Sequence, residues 1–220
     1  MKKLLTVLLA SAIVCGLPGC TDAKFNYEKV ANKALATSVL IRMKIKVKDK
    51  QGKEHTLLGG CSGTFISNDK ILSAGHCFSE EVPMQIWIRD ANGISYTAKL
   101  IKLDKAHDLG LLQVKGLHHK YSKIGKRLHV AEEIMNIGSP YDLEFLVSHG
   151  VVSALDVEVK EFRSVYTITD AAINPGSSGG GVFNSKGELV GVNTMSEGFF
   201  GWSGISYAVS IKDIKHFLGK

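Results

Sequence analysis

What most constrains the fold of this chain is a rhythm of short apolar runs closed by Gly, Asn and Asp turns. The runs are Ser38–Val47, Thr64–Ile66, Lys70–Ser73, Met84–Arg89, Ser95–Leu103 and Leu109–Val114, then Glu133–Ile137, Val147–Ala154, Val165–Thr169, Gly181–Phe183, Leu189–Asn193 and Ile205–Val209. Runs of this length with turn residues between them indicate an all-β sandwich or barrel rather than helices alternating with strands. Asp90-Ala91-Asn92-Gly93 and Asn184-Ser185-Lys186-Gly187 read as hairpin turns. The break Lys115–Lys126 divides the series. At the end, Ser210 with Asp213 three residues on reads as a helix N-cap. Ile211, Ile214 and Leu218 keep helical spacing and Gly219 provides a stop. Periodicity alone supports one or two β-rich domains and a closing helix.

Chemistry is concentrated in Asn174-Pro175-Gly176-Ser177-Ser178-Gly179-Gly180-Gly181. Glycines let a backbone turn sharply at positive φ. Such a turn can push one hydroxyl outward and aim successive N–H groups at one point, which suits a nucleophile beside an oxyanion hole. Taken alone, the run reads more readily as a flexible turn. A serine nucleophile also needs a base and an orienting carboxylate. Ser73-Ala74-Gly75-His76-Cys77 offers the base, and His107-Asp108-Leu109-Gly110 offers an acid ahead of an apolar strand. His107 adjoins Asp108, but neighbours on a strand face opposite ways, so His107 is the poorer base. Asp104 is the rival orienter, ranked below Asp108. An esterase of the α/β-hydrolase kind expects Ser before Asp before His and alternating helices, and neither occurs.

The order His, Asp, Ser and the surrounding motifs resemble trypsin-like serine proteases, nearest to the HtrA (Deg) type. The resemblance runs through Cys61-Ser62-Gly63-Thr64-Phe65-Ile66, Ser73–Cys77, Asp108–Leu112, Ile137-Gly138-Ser139-Pro140, Ser148–Ala154, Thr169–Gly180 and Gly187–Thr194. It covers roughly residues 37 to 218, with motifs in the family's order. It implies two six-stranded antiparallel β-barrels side by side, with the reactive groups in the cleft between them. His76 and Asp108 would come from the first barrel (37–118) and Ser178 from the second (119–220). His76 would be the general base, Asp108 its orienter and Ser178 the nucleophile, with the Gly176 and Ser178 N–H groups as the oxyanion hole. Two positions depart from the pattern. Ser177 stands where HtrA-type enzymes usually carry Asn and trypsin carries Asp, and Gly181 stands where proline is common. Ser177 has no carboxylate to pair with a freed N-terminus, so zymogen activation of the trypsin kind is not expected. No PDZ domain is expected after the closing helix.

The resemblance also implies a specificity pocket at Ala172, Ile173, Asn193, Thr194, Met195 and Ser206, with Met195 and Ile205 reading equally as core. With no carboxylate at Ala172, a Lys/Arg preference is not expected. Asn193 replaces the histidine of glutamyl endopeptidases. Small or medium aliphatic side chains before the scissile bond remain. No cofactor or metal is expected, because no CxxC pair or HExxH run is present.

Residues 1–19 read as a signal peptide, with Lys2 and Lys3 before an apolar stretch from Leu4 to Val14. Leu17-Pro18-Gly19-Cys20 resembles a lipobox, which implies lipidation at Cys20 and a periplasmic lipoprotein, with Thr21 favouring the outer membrane. Residues 20–36 are polar with no strong hydrophobic period and read as a tether, partly helical near Tyr27 to Leu35. The competing reading is an ordinary secreted protein. Loss of residues 1–19 would leave 25 basic and 21 acidic residues, a formal charge of +4. With no dense basic block among aromatics, nucleic acid is not an expected partner. Trypsin-like enzymes join cysteines placed as Cys61 and Cys77 are. The alternative is two thiols in a reducing compartment, against which the signal segment argues. His118 and His119 read as solvated. The functional expectation is an exported endopeptidase acting on polypeptides and held at a membrane by lipid. The rival from another class is a catalytically silent, protease-like binding or scaffold lipoprotein. The oligomeric state is not readable.

Overall fold

The computed structural model describes residues 25–80, 84–159, 164–196 and 204–220. The signal segment and Cys20 lie outside the described residues.

Twelve strands form two closed antiparallel barrels. In chain order the first six are β1 (Ser38–Lys48), β2 (Glu54–Phe65), β3 (Lys70–Ala74), β4 (Met84–Asp90), β5 (Ser95–Asp104) and β6 (Leu109–Gln113). They close in the order β1-β2-β3-β6-β5-β4, with Ile41 opposite Ile88 where β4 returns to β1. The second barrel contains β7 (Glu133–Gly138), β8 (Leu146–Glu158), β9 (Val165–Thr169), β10 (Gly181–Phe183), β11 (Leu189–Ser196) and β12 (Ser206–Ser210). Its order is β10-β11-β12-β9-β8-β7, closed by Val182 opposite Asn136. Closure leaves no open sheet edge among these strands, which removes the unpaired N–H and C=O rows that invite aggregation.

Ile41, Phe65, Ile71, Ile88 and Leu112 fill the first barrel. Ile134, Val152, Val182 and Val190 fill the second. A third cluster joins the two. Leu72 and Leu109 from the first barrel pack with Ile137, Phe183 and Val209 from the second. This apolar seam sets the two barrels against each other, so the turn after β3 and the loops before β6 and β10 meet at one cleft.

Several sequence expectations are corrected here. The segment expected as a tether forms its helix where the sequence placed it, but from Phe25 onward it is packed rather than free. Helix α1 (Tyr27–Leu35) begins at Asn26, whose side chain accepts the Lys29 N–H, and it buries Val30 and Ala34 in the seam cluster. Strand β2 starts at Glu54, well before the expected Thr64. His118 is exposed, but the His119 ring stacks on Phe65 at 4.1 Å and faces Asp90 Oδ2 at 3.4 Å, so it is not a solvated side chain. The closing helix α2 (Ile211–Leu218) forms as read. The Ser210 hydroxyl accepts the Asp213 N–H, and Gly219 ends the helix at φ +69°.

Candidate active site

His76 sits on a single 3-10 turn, Gly75–Cys77, directly after β3. The turn lies hard against the start of β6. A Cβ on Gly75 would fall 2.8 Å from the Leu109 nitrogen, so only glycine allows this approach. The approach brings His76 to Asp108, which precedes β6 at φ 52°. The Asp108 carboxylate accepts the His76 backbone N–H at 2.6 Å, and His76 Nδ1 lies 3.0 Å from Oδ2 and 3.1 Å from Oδ1. Contact with the carboxylate fixes which ring nitrogen carries the proton and leaves Nε2 free to act as a base.

Asp108 has a second side-chain donor, the Thr194 hydroxyl, which bonds Oδ2. Burial pushes the Asp108 carboxyl up. The His76 hydrogen bond, the His76 charge and the Thr194 hydroxyl together outweigh burial and hold the carboxyl below its ordinary value. Burial, followed by the nearby Asp108 charge, pushes the Tyr166 phenol up to about 12. The rival orienter has a different partner. Asp104 Oδ2 lies 2.7 Å from His107 Nδ1, so Asp104 and His107 form a separate pair.

The serine loop leaves the second barrel just before β10. Gly176 and Gly179 adopt φ +101° and +84°. Gly179 also packs where no side chain fits, since a Cβ there would lie 2.1 Å from Ser73 Oγ and 2.2 Å from the Ser62 carbonyl oxygen. The loop is bonded to the first barrel by Ser62 N–H to the Ser178 carbonyl (2.8 Å) and by Ser62 Oγ to the Gly176 carbonyl (2.8 Å). The Pro175 carbonyl accepts from Tyr141 N–H at 3.1 Å. The Ser177, Gly179 and Gly180 N–H groups all have backbone acceptors, whereas among the described residues those of Gly176 and Ser178 have none. Those two donors remain available to an incoming oxyanion.

Thr194 links the three residues expected to react. Its hydroxyl donates to Asp108, and its carbonyl accepts from the Ser178 hydroxyl at 3.2 Å. In this state Ser178 donates to that carbonyl rather than to the imidazole. Free-enzyme hydrogen bonds of this kind commonly tighten only with substrate present. The sequence signal for Thr194 pointed to a pocket wall, and its bond to the carboxylate was missed. Cys61 and Cys77 are joined by a disulfide that ties β2 to the turn bearing His76.

Of the six residues expected in the specificity pocket, Ala172, Ile173 and Asn193 line a recess beside the serine loop, together with Asn136, Gly138 and Ser148. Met195 packs with the seam cluster instead, as does Ile205. Ser206 is buried on β12 opposite Thr169. Ser177 is buried too, and its hydroxyl accepts the Asn174 N–H at 3.4 Å. No helix among the described residues is long and apolar enough to cross a membrane.

Comparison with known proteins gives a consistent picture. Residues 61–192 match the family described as "Trypsin-like peptidase domain". A probable periplasmic serine endoprotease, DegP-like, of Pseudomonas putida is 37% identical over 171 residues, covering 74% of this chain and 34% of that protein. The crystal structure of the serine endoprotease from Yersinia pestis aligns with a TM-score of 0.71 at 27% identity, covering 88% of this chain and 65% of that one. An HtrA-type protease, AlgW with a decapeptide, shares the fold with a TM-score of 0.73 at 22% identity, over 85% of this chain and 64% of that one. The chain spans about a third of the length of the curated relatives it matches.

Proposed function

Because the chain belongs to the trypsin-like peptidase family, we propose that it is an exported serine endopeptidase of the HtrA type, hydrolysing peptide bonds through an acyl-enzyme. The observation that carries this reading is the chain of contacts His76–Asp108–Thr194–Ser178 beside two unengaged N–H groups. Ser178 Oγ attacks the scissile carbonyl while His76 Nε2 takes its proton. Asp108 holds the tautomer and stabilises the imidazolium, and the N–H groups of Gly176 and Ser178 receive the oxyanion. His76 then returns the proton to the leaving amine, and water releases the acyl group by the same route. The charge on Asp108 suits this role, since its carboxyl is held below the ordinary range and stays ionised at neutral pH.

The relatives named periplasmic support an exported location. The finer reading is that residues 1–19 are removed and Cys20 is lipidated, which would place the protein at the outer membrane. It rests on Leu17-Pro18-Gly19-Cys20 and is tested by metabolic labelling with a palmitate analogue, which Cys20→Ser should abolish. Polypeptides are the proposed substrates.

The test of the activity is a fluorophosphonate probe. Native protein should be labelled at Ser178, and Ser178→Ala should lose both labelling and cleavage of an unfolded protein substrate while keeping its melting temperature. Absence of labelling in native protein would favour the silent, protease-like binding protein instead.

A further inference from the structure

The strands that carry the proposed triad define an opposite pole of the molecule. β3 ends at the turn bearing His76, β6 begins after Asp108 and β10 begins after the Ser178 loop. At their other ends, β3 starts just after Asn68, β6 runs on into the crossover between the barrels and β10 runs into a turn at Lys186 and Gly187. All three of these ends border one broad groove of about 1220 Å³, lined by Asn68, by residues 118–123 of the crossover, by Lys186, Gly187 and Glu188, and by helix α1. Strands β3 and β6 have five residues each. At about 3.3 Å per residue, they set the groove about 15 Å from the Ser178 cleft, at the far end of the same strands.

The groove is basic. Lys29 and Lys33 on α1, Lys120 and Lys123 on the crossover and Lys186 after β10 are all exposed along it. Among the described residues none of the five lies within ion-pair distance of a carboxylate. Glu28 and Glu188 are the acids of the lining, and Glu188 already accepts from Asn184 Nδ2 at 3.0 Å. Five cations against two acids leave a positive face, and an anionic partner relieves their mutual repulsion. The form of the face favours an extended partner over a single small anion. It offers no arginine fork for bidentate capture of one phosphate, and its volume exceeds the range of about 300–1,000 Å³ usual for small-ligand sites. Separate ammonium groups on flexible stems suit a surface bearing many phosphates. Tyr121, 51% exposed among them, adds the amphipathic ring that favours a membrane–water interface.

We propose that this lysine-lined groove docks on anionic phospholipid headgroups of the membrane that holds the lipid anchor. The place of the anchor selects this partner. Cys20 precedes Asn26, a lining residue of the groove, by six positions. Six residues reach at most about 22 Å, so an acyl chain on Cys20 keeps this pole close to the headgroup layer. The lipid fixes the protein to the bilayer, and the lysines set which pole faces it. Docking by this pole turns the Ser178 cleft away from the bilayer, toward polypeptides in solution. It rests on the proposed lipidation of Cys20, because the anchor supplies the surface.

The test separates the groove from the anchor. Residues 20–220 with Cys20→Ser, secreted behind an ordinary cleavable signal peptide, carry no lipid and keep every described residue. This protein is sedimented with vesicles of phosphatidylcholine, alone or with a third of it replaced by phosphatidylglycerol. It should prefer the phosphatidylglycerol vesicles and leave them in about 1 M salt, where the screening length falls to about 3 Å. Lys29→Gln, Lys120→Gln and Lys123→Gln together should weaken binding about a hundredfold, at about fivefold per lysine. Lys33 stays in place because its Nζ donates to the Lys186 carbonyl at 3.1 Å and ties α1 to the turn. The same loss of charge at Lys46, Lys48 and Lys99, exposed but outside the groove, should weaken binding far less. Thermal unfolding reports whether each variant is intact. If the groove triple unfolds, Lys29→Gln alone should weaken binding about fivefold. Equal binding to both kinds of vesicle, binding that survives the salt, or equal effects of the two triple variants would overturn the proposal. Binding of inorganic phosphate or polyglutamate in calorimetry, without binding of phosphatidylglycerol vesicles, would assign the groove to a soluble anion and overturn it too. Palmitate-analogue labelling of the native chain is read separately. Labelling without a phosphatidylglycerol preference overturns only the docking face, and the preference without labelling overturns only the anchor.

Discussion

Replacing Thr194 by Val removes the hydroxyl that bonds Asp108 and keeps the shape of the side chain. The Asp108 side chain is 14% exposed, so solvent screens the lost contact little. A hydrogen bond to a charged group contributes about 1.5–3 kcal/mol, and about 2 kcal/mol is the expected loss of stability at neutral pH. The sign with pH follows from the carboxyl. Its folded value lies below the ordinary one, so it contributes stability above the unfolded value that is lost as pH falls through the folded value. Removing one donor raises the folded value toward the ordinary one. The wild type and the variant should therefore differ by about 2 kcal/mol near pH 7 and converge as pH falls through the folded value and both forms protonate. Urea unfolding across that range measures the gap. A gap of the same size at both ends would mean that the substitution acts through packing alone, and the assigned role of the hydroxyl would be wrong.

Four further outcomes are expected. Asp108→Asn should lower kcat by about four orders of magnitude by favouring the wrong tautomer. Asp104→Asn should leave turnover nearly intact because Asp104 serves His107, and steady-state kinetics separates the two. Reducing the Cys61–Cys77 bond, which closes a 16-residue separation, should lower stability by about 3 kcal/mol in urea unfolding. Gly63→Ala would put a Cβ 2.7 Å from Ile71 Cγ2 and 3.0 Å from Ile41 Cδ1. Overpacking of this kind costs about 1–3 kcal/mol, so the melting temperature should fall while fluorophosphonate labelling persists.

The same glycine shows where sequence reading of the fold gives out. Gly59, Gly60 and Gly63 look like breaks, so β2 was expected to begin only at Thr64. The strand is continuous from Glu54 because the glycines admit close neighbours: a Cβ on Gly60 would lie 2.7 Å from Arg42 Nη1. The requirement comes from the partner strand and has no local signature. The helix over Tyr27–Leu35 was legible but its docking was not, because Val30 and Ala34 gain their burial only from a seam that exists once both barrels have formed. By contrast the turns at Gly93 and Gly187 and the caps of α2 were legible, because each depends on residues a few positions apart.

The active site divides along the same line. The proximity of His76 to Asp108 and the sharp turn at Ser178 were legible because tight turns leave glycines in the chain. Asn136 carries no such mark. In Glu133-Ile134-Met135-Asn136-Ile137-Gly138 a polar residue at a period-two position reads as a solvent-facing side chain. In a closed barrel packed against a second one, both faces of β7 are covered, and the same residue ends 2% exposed. The turns proposed to carry the chemistry are thus written in local motifs, whereas a buried polar position such as Asn136 is distinguished from surface only by tertiary closure.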